Sequence, residues 1–534
     1  MKITKISAIP TVCIALLSLS ATAQTAVFTP KKAELSESKL KRWSHLDLAT
    51  DSVPGMSVDK AYEFLKGKKP VKVIVGILDS GVDIAHEDLK SVLWTNKKEI
   101  PNNGKDDDKN GYIDDINGWN FLGDIEKEAY EYERIAKNPK LVDEATYKAA
   151  KAKVEEKLKG ASAQRDQMVM TLQKVTEADA ALAKALGKPV YTKEELAAFV
   201  TEDAELKKYQ KGITQMFGYG LTIEKLKIEI QKQIDATPVA TEPKEVPDYR
   251  KVLGDNPNDL NDRKYGNNNV TGPQKDGALH GTHVAGIVAA GRNNMIGGDG
   301  IADNVQIMTI RAVPDGDEYD KDIALGIRYA VDNGAKVING SFGKDFSPQK
   351  QWVYDALKYA ASKDVLFVHA AGNDGKNIDV ENNFPNDSDD KITELASTTI
   401  TVGALNLTKD LIADFSNYGK INVDVYAPGV QIYASTPGDK YQFLAGTSMA
   451  APNVAGVAAL IRGYYPKLTA VQVKQILMTS GTALTTEVAV GGDDKNKQSF
   501  DKLSVFGKIV NAYNALKMAD EMSKKTIIKK KIKN

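Results

Sequence analysis

Cysteine is nearly missing from this 534-residue chain: Cys13 is its one instance. That residue lies in an N-terminal stretch that reads as an export signal, so the mature chain is expected to hold no disulfide, zinc thiolate or thiol nucleophile. An excess of charge is missing too. Lys+Arg and Asp+Glu both number 71, which argues for neither nucleic acid nor a bulk acidic partner. No segment after the N-terminal stretch has about 18 consecutive apolar residues, so no transmembrane anchor is expected. Histidine is scarce, with five in all, which makes two close together at 280 and 283 notable.

What is present begins with the signal. Lys2 and Lys5 give a positive start, and Ile6–Leu19 is mostly apolar but too short to span a bilayer comfortably. Ala21-Thr-Ala23 offers small residues for cleavage, leaving Gln24 as the first mature residue and a periplasmic or secreted protein. Thr11-Val12 before Cys13 are not the small residues of a lipoprotein signal. A disulfide-free exported protein must be held by its core, helped by metal. The other end, 517–534, is basic and reads as a solvated tail.

Between these ends the pattern changes three times. Residues 24–69 form a mixed, polar N-terminal extension with a helix expected at Val58–Lys66. Val71–Leu78 is a β-branched apolar run, the mark of a strand buried on both faces, with Asp79 at its C-terminal end. The span 124–235 is rich in Ala, Lys and Glu. Val154, Leu158, Ala161, Met168, Leu172, Val175, Leu182 and Leu186 fall on alternating three- and four-residue steps, with Arg165 and Asp179 as polar interruptions. That spacing is one face of a long helix. Gly187-Lys-Pro189 ends it, Thr192–Glu195 is a capping box for a second helix, and Ile223–Ile234 is a third. Pro238–Pro257 reads as a linker. From about 278 onward strand-like runs (305–310, 335–339, 365–369, 399–403) alternate with helix-like ones (320–332, 347–363), as in a parallel sheet covered by helices. The expected organisation is one α/β domain in two parts, 70–123 and 265–516, interrupted by a mainly helical insertion and linker, 124–264.

Three short segments carry chemistry: Asp79-Ser-Gly-Val82, His280-Gly-Thr-His-Val-Ala-Gly286 and Gly446-Thr-Ser-Met-Ala-Ala-Pro452. A serine hydroxyl needs a base, a neutral imidazole can be that base, and a carboxylate orients the imidazole and steadies its cation. Ser448 would sit at the positive end of an apolar helix, where its own N–H could help bind an oxyanion. Asn373, in the glycine-rich turn Ala370-Ala-Gly-Asn373, can donate to the same oxyanion. His280 and His283 as a zinc pair find no support in cysteine or an H-E-x-x-H arrangement; His283 reads as a packed core residue.

Together these segments resemble the active-site signatures of the subtilisin-like serine proteases, the subtilases. The likeness covers roughly 71–122 and 265–516. It implies an α/β fold, a subtilisin-like parallel sheet with helices on both faces, and leaves unexplained the large helical insertion that the residue pattern places between the acid and the histidine. It implies Asp79, His280 and Ser448 as a triad and Asn373 as oxyanion donor. It also implies that Ser341-Phe342-Gly343 pairs with substrate backbone, that Gly372 walls the pocket for the residue before the scissile bond, and that Asn383 lies at that pocket's base. Two departures stand out: Asp79 and His280 are 201 residues apart, and 24–69 is short for a folded pro-domain. The implied activity is endopeptidase on protein or peptide substrates, without an organic cofactor. The insertion reads first as a solvated structural module, with contact to substrate or a partner as the alternative. A silent binding scaffold on the same fold would be expected to lack one of the three groups. An α/β-hydrolase esterase would carry Gly-x-Ser-x-Gly and the order Ser, Asp, His.

A second site is suggested by Asp106, Asp108, Asn110, Gly111, the Tyr112 carbonyl and Asp114, the D-x-D-x-N-G spacing of a calcium loop. Its twelfth position is Asn117 rather than a bidentate Glu. The expectation is a structural Ca²⁺.

Overall fold

The structure is a computed structural model that describes residues 34–218, 222–237, 247–408 and 410–533. The segment read as an export signal, with Cys13, lies outside the described residues, as does part of the linker.

The organising element is a nine-stranded sheet in the order β10-β13-β7-β6-β5-β4-β1-β3-β2. The β-branched run expected after residue 70 is its strand β1 (Val73–Asp79), which pairs in parallel with β3 (Val305–Arg311) on one side and β4 (Val337–Gly340) on the other. β2 (Gly118–Asn120) forms the edge beyond β3, and β5 (Leu366–Ala370), β6 (Thr399–Leu405) and β7 (Val425–Pro428) continue beyond β4. Two hairpins, β8 (Ile432–Thr436) with β9 (Lys440–Leu444) and β11 (Glu487–Val490) with β12 (Asp493–Ser499), stand apart from it. β10 (Thr482–Ala483) and β13 (Lys508–Ile509) close the far edge, where β10 supplies the antiparallel pairing. The strand order reverses at β1, and the carboxyl ends of strands at such a switch point are where open α/β sheets place their sites.

Three short helices lead in: α1 (Glu37–Leu40), α2 (Leu48–Asp51) and α3 (Val58–Leu65). The sequence suggests a polar extension here, yet the segment belongs to the main core. Trp43 is 1% exposed, and its indole N–H is shared between the carbonyls of Val430 and Gln431, both at 3.1 Å. Met56 is fully buried, and its carbonyl accepts from Ala512 N at 2.7 Å.

Next come α4 (Glu131–Lys137), α5 (Glu144–Leu186), α6 (Lys193–Ala198), α7 (Ala204–Gly218) and α8 (Ile223–Ala236). α5 is one unbroken helix of 43 residues, capped by Asp143 at its start and by left-handed Gly187 at its end. The capping box at Thr192 and Glu195 forms, but the helix it opens stops at Ala198, and α7 is a separate helix the sequence did not suggest. Val175, Ala178 and Leu182 of α5 pack with Tyr191, Leu196 and Ile213 in a cluster of their own, apart from the two that sandwich the sheet. Asp179, a polar interruption of the apolar face, accepts from Tyr191 OH (3.0 Å) and Lys227 Nζ (2.6 Å).

The remaining helices cover the sheet. α9 (Leu279–Ala289) and α12 (Thr447–Tyr464) lie together on one face, and α10 (Asp320–Asp332) and α11 (Lys350–Ser362) on the other. Ala450, Ala451, Ala455, Ala458 and Ala459 are fully buried, and their small size lets α12 run close beneath the central strands. α13 (Ala470–Ser480) and α14 (Ala512–Lys533) finish the fold. The stretch from 517 begins inside α14, where Ala519 is buried and Asp520 pairs with Lys68 at 2.9 Å.

Candidate active site

β1 delivers Asp79 to the carboxyl edge of the sheet, and α9 opens one residue before His280. The two meet because the residue after His280 is glycine. A Cβ at Gly281 would lie 2.1 Å from the Gly81 carbonyl oxygen, so no other residue lets α9 start so near the loop after β1. His280 Nδ1–H donates to Asp79 Oδ1 at 2.7 Å, and Ser80 N–H donates to the same oxygen at 2.7 Å. Asp79 is 1% exposed, while the His280 side chain keeps 36% of its surface open. Burial disfavours the charged ring, but the Asp79 charge and its hydrogen bond outweigh that and hold the His280 pKa above its ordinary value. The bond also fixes the tautomer, leaving Nε2 as the unprotonated nitrogen of the neutral ring.

Ser448 is the second residue of α12, which packs against α9. Its hydroxyl donates to the Ser341 carbonyl at 3.2 Å, and Ser341 Oγ donates back to the Ser448 carbonyl at 2.9 Å. Asn339 Nδ2 donates to that Ser341 hydroxyl at 2.9 Å, locking its direction. Asn373 follows β5. Its Oδ1 accepts from both Thr447 N (2.8 Å) and Thr447 Oγ1 (2.9 Å), and Gly372 N donates to Thr447 Oγ1 at 3.1 Å. With the oxygen committed to Thr447, the Asn373 amide presents its N–H₂ end outward, the polarity an oxyanion requires.

Ser448, Gly343, Gly372, Asn373 and Asn383 line one cavity of about 400 Å³. Gly372 has φ +101°, and a Cβ on it would stand 2.3 Å from Asn417 Nδ2. Asn383 Nδ2 (3.0 Å) and Asn417 Nδ2 (2.9 Å) both donate to the Ala371 carbonyl. That leaves Asn383 Oδ1 between the two glycines, 3.1 Å from a Cβ position on Gly372 and 3.2 Å from one on Gly343, so the cavity has an acceptor at its base. Phe342 is 8% exposed, packs on His369 and gives its carbonyl to His369 Nε2 at 2.8 Å. A second cavity, about 340 Å³, lies among Glu128, Arg134, Tyr249 and Lys321 and includes none of the three chemical groups.

Neither His283 nor His369 is suited to the role of base. Burial pushes His283 and His369 down to about 4, and His283 Nε2 hydrogen-bonds the Gln442 carbonyl at 3.1 Å, as the reading of a packed core residue requires.

The acidic loop is brought together differently from its spacing. Oxygens of Glu99, Asp106 and Asp108 lie within 4.8 Å of one another. Asp114 turns its carboxylate to Asn103 N (3.2 Å) and Gly104 N (2.9 Å), and Asn110 Oδ1 accepts from Tyr112 N at 2.8 Å. The Tyr112 ring packs on Trp119 and Tyr329. Three mutually repelling carboxylates with hard oxygen donors fit a divalent cation of the calcium kind.

Thr447 and Asn339 received no role from the sequence, and neither did Glu99. Thr447 stood inside a quoted motif and was the one signal available. Glu99 lies seven residues before the loop, outside any alternate-position pattern.

The family model described as "Subtilase family" matches residues 71–507. The chain belongs to that family. A thermophilic serine proteinase of Bacillus sp. (strain AK1) is 43% identical over 183 residues, 34% of this chain and 42% of that protein. The cell wall-associated protease of Bacillus subtilis (strain 168) is 38% identical over 238 residues, 44% of this chain and 24% of that protein. Subtilisin BL of Lederbergia lenta is 37% identical over 212 residues, 39% of this chain and 72% of that protein. The chain therefore spans less than half the length of the first two relatives.

Proposed function

We propose that this protein is an exported serine endopeptidase that hydrolyses peptide bonds through an acyl-enzyme. Ser448 Oγ attacks the carbonyl, His280 Nε2 takes its proton, and the oxygen that becomes negative is held by Asn373 Nδ2 and Ser448 N–H. His280 then returns the proton to the leaving amine. Water next attacks the acyl carbonyl, His280 again takes the proton, and it passes to Ser448 Oγ as the acyl–oxygen bond breaks and the acid leaves. Asp79 holds the ring throughout. The hydroxyl leaves the Ser341 carbonyl as substrate enters, since catalytic hydrogen bonds are often loose before substrate binds. The observation that carries this reading is the 2.7 Å bond between His280 and a fully buried Asp79, at the sheet edge where α12 opens on Ser448.

Glu99, Asp106 and Asp108 would hold a structural Ca²⁺, which would neutralise their repulsion and pin the loop beside β2. Residues 124–264 would form an inserted module, and the N-terminal signal would direct the protein to the periplasm or beyond. Among the described residues no helix is long and apolar enough to cross a membrane. Family membership supports protein or peptide substrates.

Fluorophosphonate labelling of the mature protein, with casein digestion in parallel, tests the reading. Both activities present in the wild type and lost in Ser448→Ala is the expected result. A folded, calcium-supplied wild type that takes no label would end it.

A further inference from the structure

The insertion leaves the core beside the site, and its first limb stays there. Residues 126–134 lie along the extended segment 315–318 that follows β3. Asp315 N donates to the Glu126 carbonyl at 2.8 Å, and the Asp315 carbonyl accepts from Glu128 N at 2.9 Å. Gly316 comes so close that a Cβ there would stand 2.1 Å from Glu128 O. Arg134 donates to the carbonyls of Asp317 (2.8 Å) and Glu318 (3.2 Å). From the other side Lys344, one residue past Gly343 and 2% exposed in its side chain, donates to Glu131 Oε2 and to the Glu318 carbonyl, both at 2.7 Å. The segments 315–318 and 341–344 are thus tied together at one end by a buried ion pair from the insertion. At that end Tyr132 stacks on Tyr130, with ring centroids 5.4 Å apart and planes at 6°, and both rings line the cavity that holds Ser448.

We propose that limb 126–134 is the end wall of the groove for the acyl side of the substrate, so that the protein grips only about three residues before the scissile bond. This rests on the reading of Ser448 as nucleophile and of Ser341–Gly343 as the segment that pairs with substrate backbone. Ser341 marks the reacting end, because its carbonyl holds the Ser448 hydroxyl. A peptide lying along Ser341–Lys344 advances about 3.3 Å per residue, so about three residues bring it to Lys344 and Glu131. There Asp317 also lines the cavity, and the carbonyls of Asp317 and Glu318, the acceptors that segment could otherwise offer a longer peptide, already accept from Arg134 and Lys344. The rest of a long substrate turns outward past the tyrosine pair into solvent, which permits cleavage within a chain but adds no binding.

The test is a series of N-blocked peptide p-nitroanilides that share one residue at the scissile bond and carry one to six residues before it. In the wild type kcat/KM should climb up to three residues and then stay level within about twofold. A gain of tenfold or more between three and six residues would overturn the proposal. In Tyr130→Ala/Tyr132→Ala the ratio of six-residue to three-residue kcat/KM should rise at least about threefold, because a fourth side chain can then settle in the cavity where the two rings stood, even though the carbonyls of Asp317 and Glu318 stay committed. An unchanged ratio in that folded variant would likewise count against the limb as the wall. No turnover at any length, together with no fluorophosphonate label, would instead refute the reading of Ser448.

Discussion

Replacing Asp79 by asparagine keeps the shape of the side chain and removes its charge. Two losses follow. The imidazolium formed when His280 accepts the serine proton loses a partner charge about 4 Å away, worth about 4 kcal/mol at an effective dielectric near 20. At about 1.4 kcal/mol per tenfold that is about 10³ in rate. The amide must also choose an orientation. If its N–H₂ faces His280, Nδ1 becomes the acceptor, the proton moves to Nε2 and the base is lost, which extends the expected drop to about 10⁴. If its oxygen faces His280, the N–H₂ occupies the place of Asp79 Oδ2, a buried atom with no hydrogen-bond partner among the described residues. An unsatisfied donor there costs about 1–3 kcal/mol of stability. The assay is kcat/KM on a peptide p-nitroanilide from pH 5 to 10, normalised by active-site titration. In the wild type the rate should rise with pH through a His280 pKa above 6.5, because only the neutral ring is a base. In Asp79→Asn the raising influence is gone and burial remains, so the acid limb should move to lower pH while the plateau falls. A plateau within tenfold of wild type, or an acid limb that does not move, would refute the pairing.

Asn373→Ala should lower kcat by about 10²–10³ through loss of the oxyanion donor, and Thr447→Val by about tenfold, because one of the two donors orienting the Asn373 amide survives; equal losses would mean that Thr447 does more than orient Asn373. Calcium at 100 times its Kd should stabilise the protein by about 2.7 kcal/mol in a thermal melt, and Glu99→Gln should abolish that gain when each variant with calcium is compared with itself in chelator. A gain that survives Glu99→Gln but not Asp114→Asn would favour the ligand set suggested by the loop spacing. Arg250 is bonded by both Asp255 and Asp322, and Arg250→Met should leave two buried carboxylates short of their partner and cost about 3–5 kcal/mol in urea unfolding.

What the sequence could disclose was whatever a local pattern encodes. The β-branched run ending in Asp79 and the small-residue runs of α9 and α12 each report burial of their own element, and all formed; the heptad-like pattern gave the helix α5, but of its named apolar positions only Val175 and Leu182 are buried. In the lead-in segment the helix expected at Val58–Lys66 forms as Val58–Leu65, but the burial of Trp43, Val53 and Met56 is not legible, because they are spread among short turns rather than set on a period. Its partners at 430–431 and 512 leave no trace beside it in the chain. The break between α6 and α7 was missed because apolar spacing continues across it. Glu99 and Thr447 act through proximity in space, to which spacing rules are blind. The limb at 126–134 has no signature at all, since its role is set by carbonyls nearly two hundred residues away.

The stitching of Trp43 to the loop at 430–431, and of Met56 to Ala512, bears on how the molecule comes into being. The indole bonds span 387 and 388 positions of chain. Closing contacts of such sequence separation is slow, and it cannot begin until the distant partner exists. A chain emerging residue by residue therefore holds its first buried tryptophan without a berth until Val430 and Gln431 have followed.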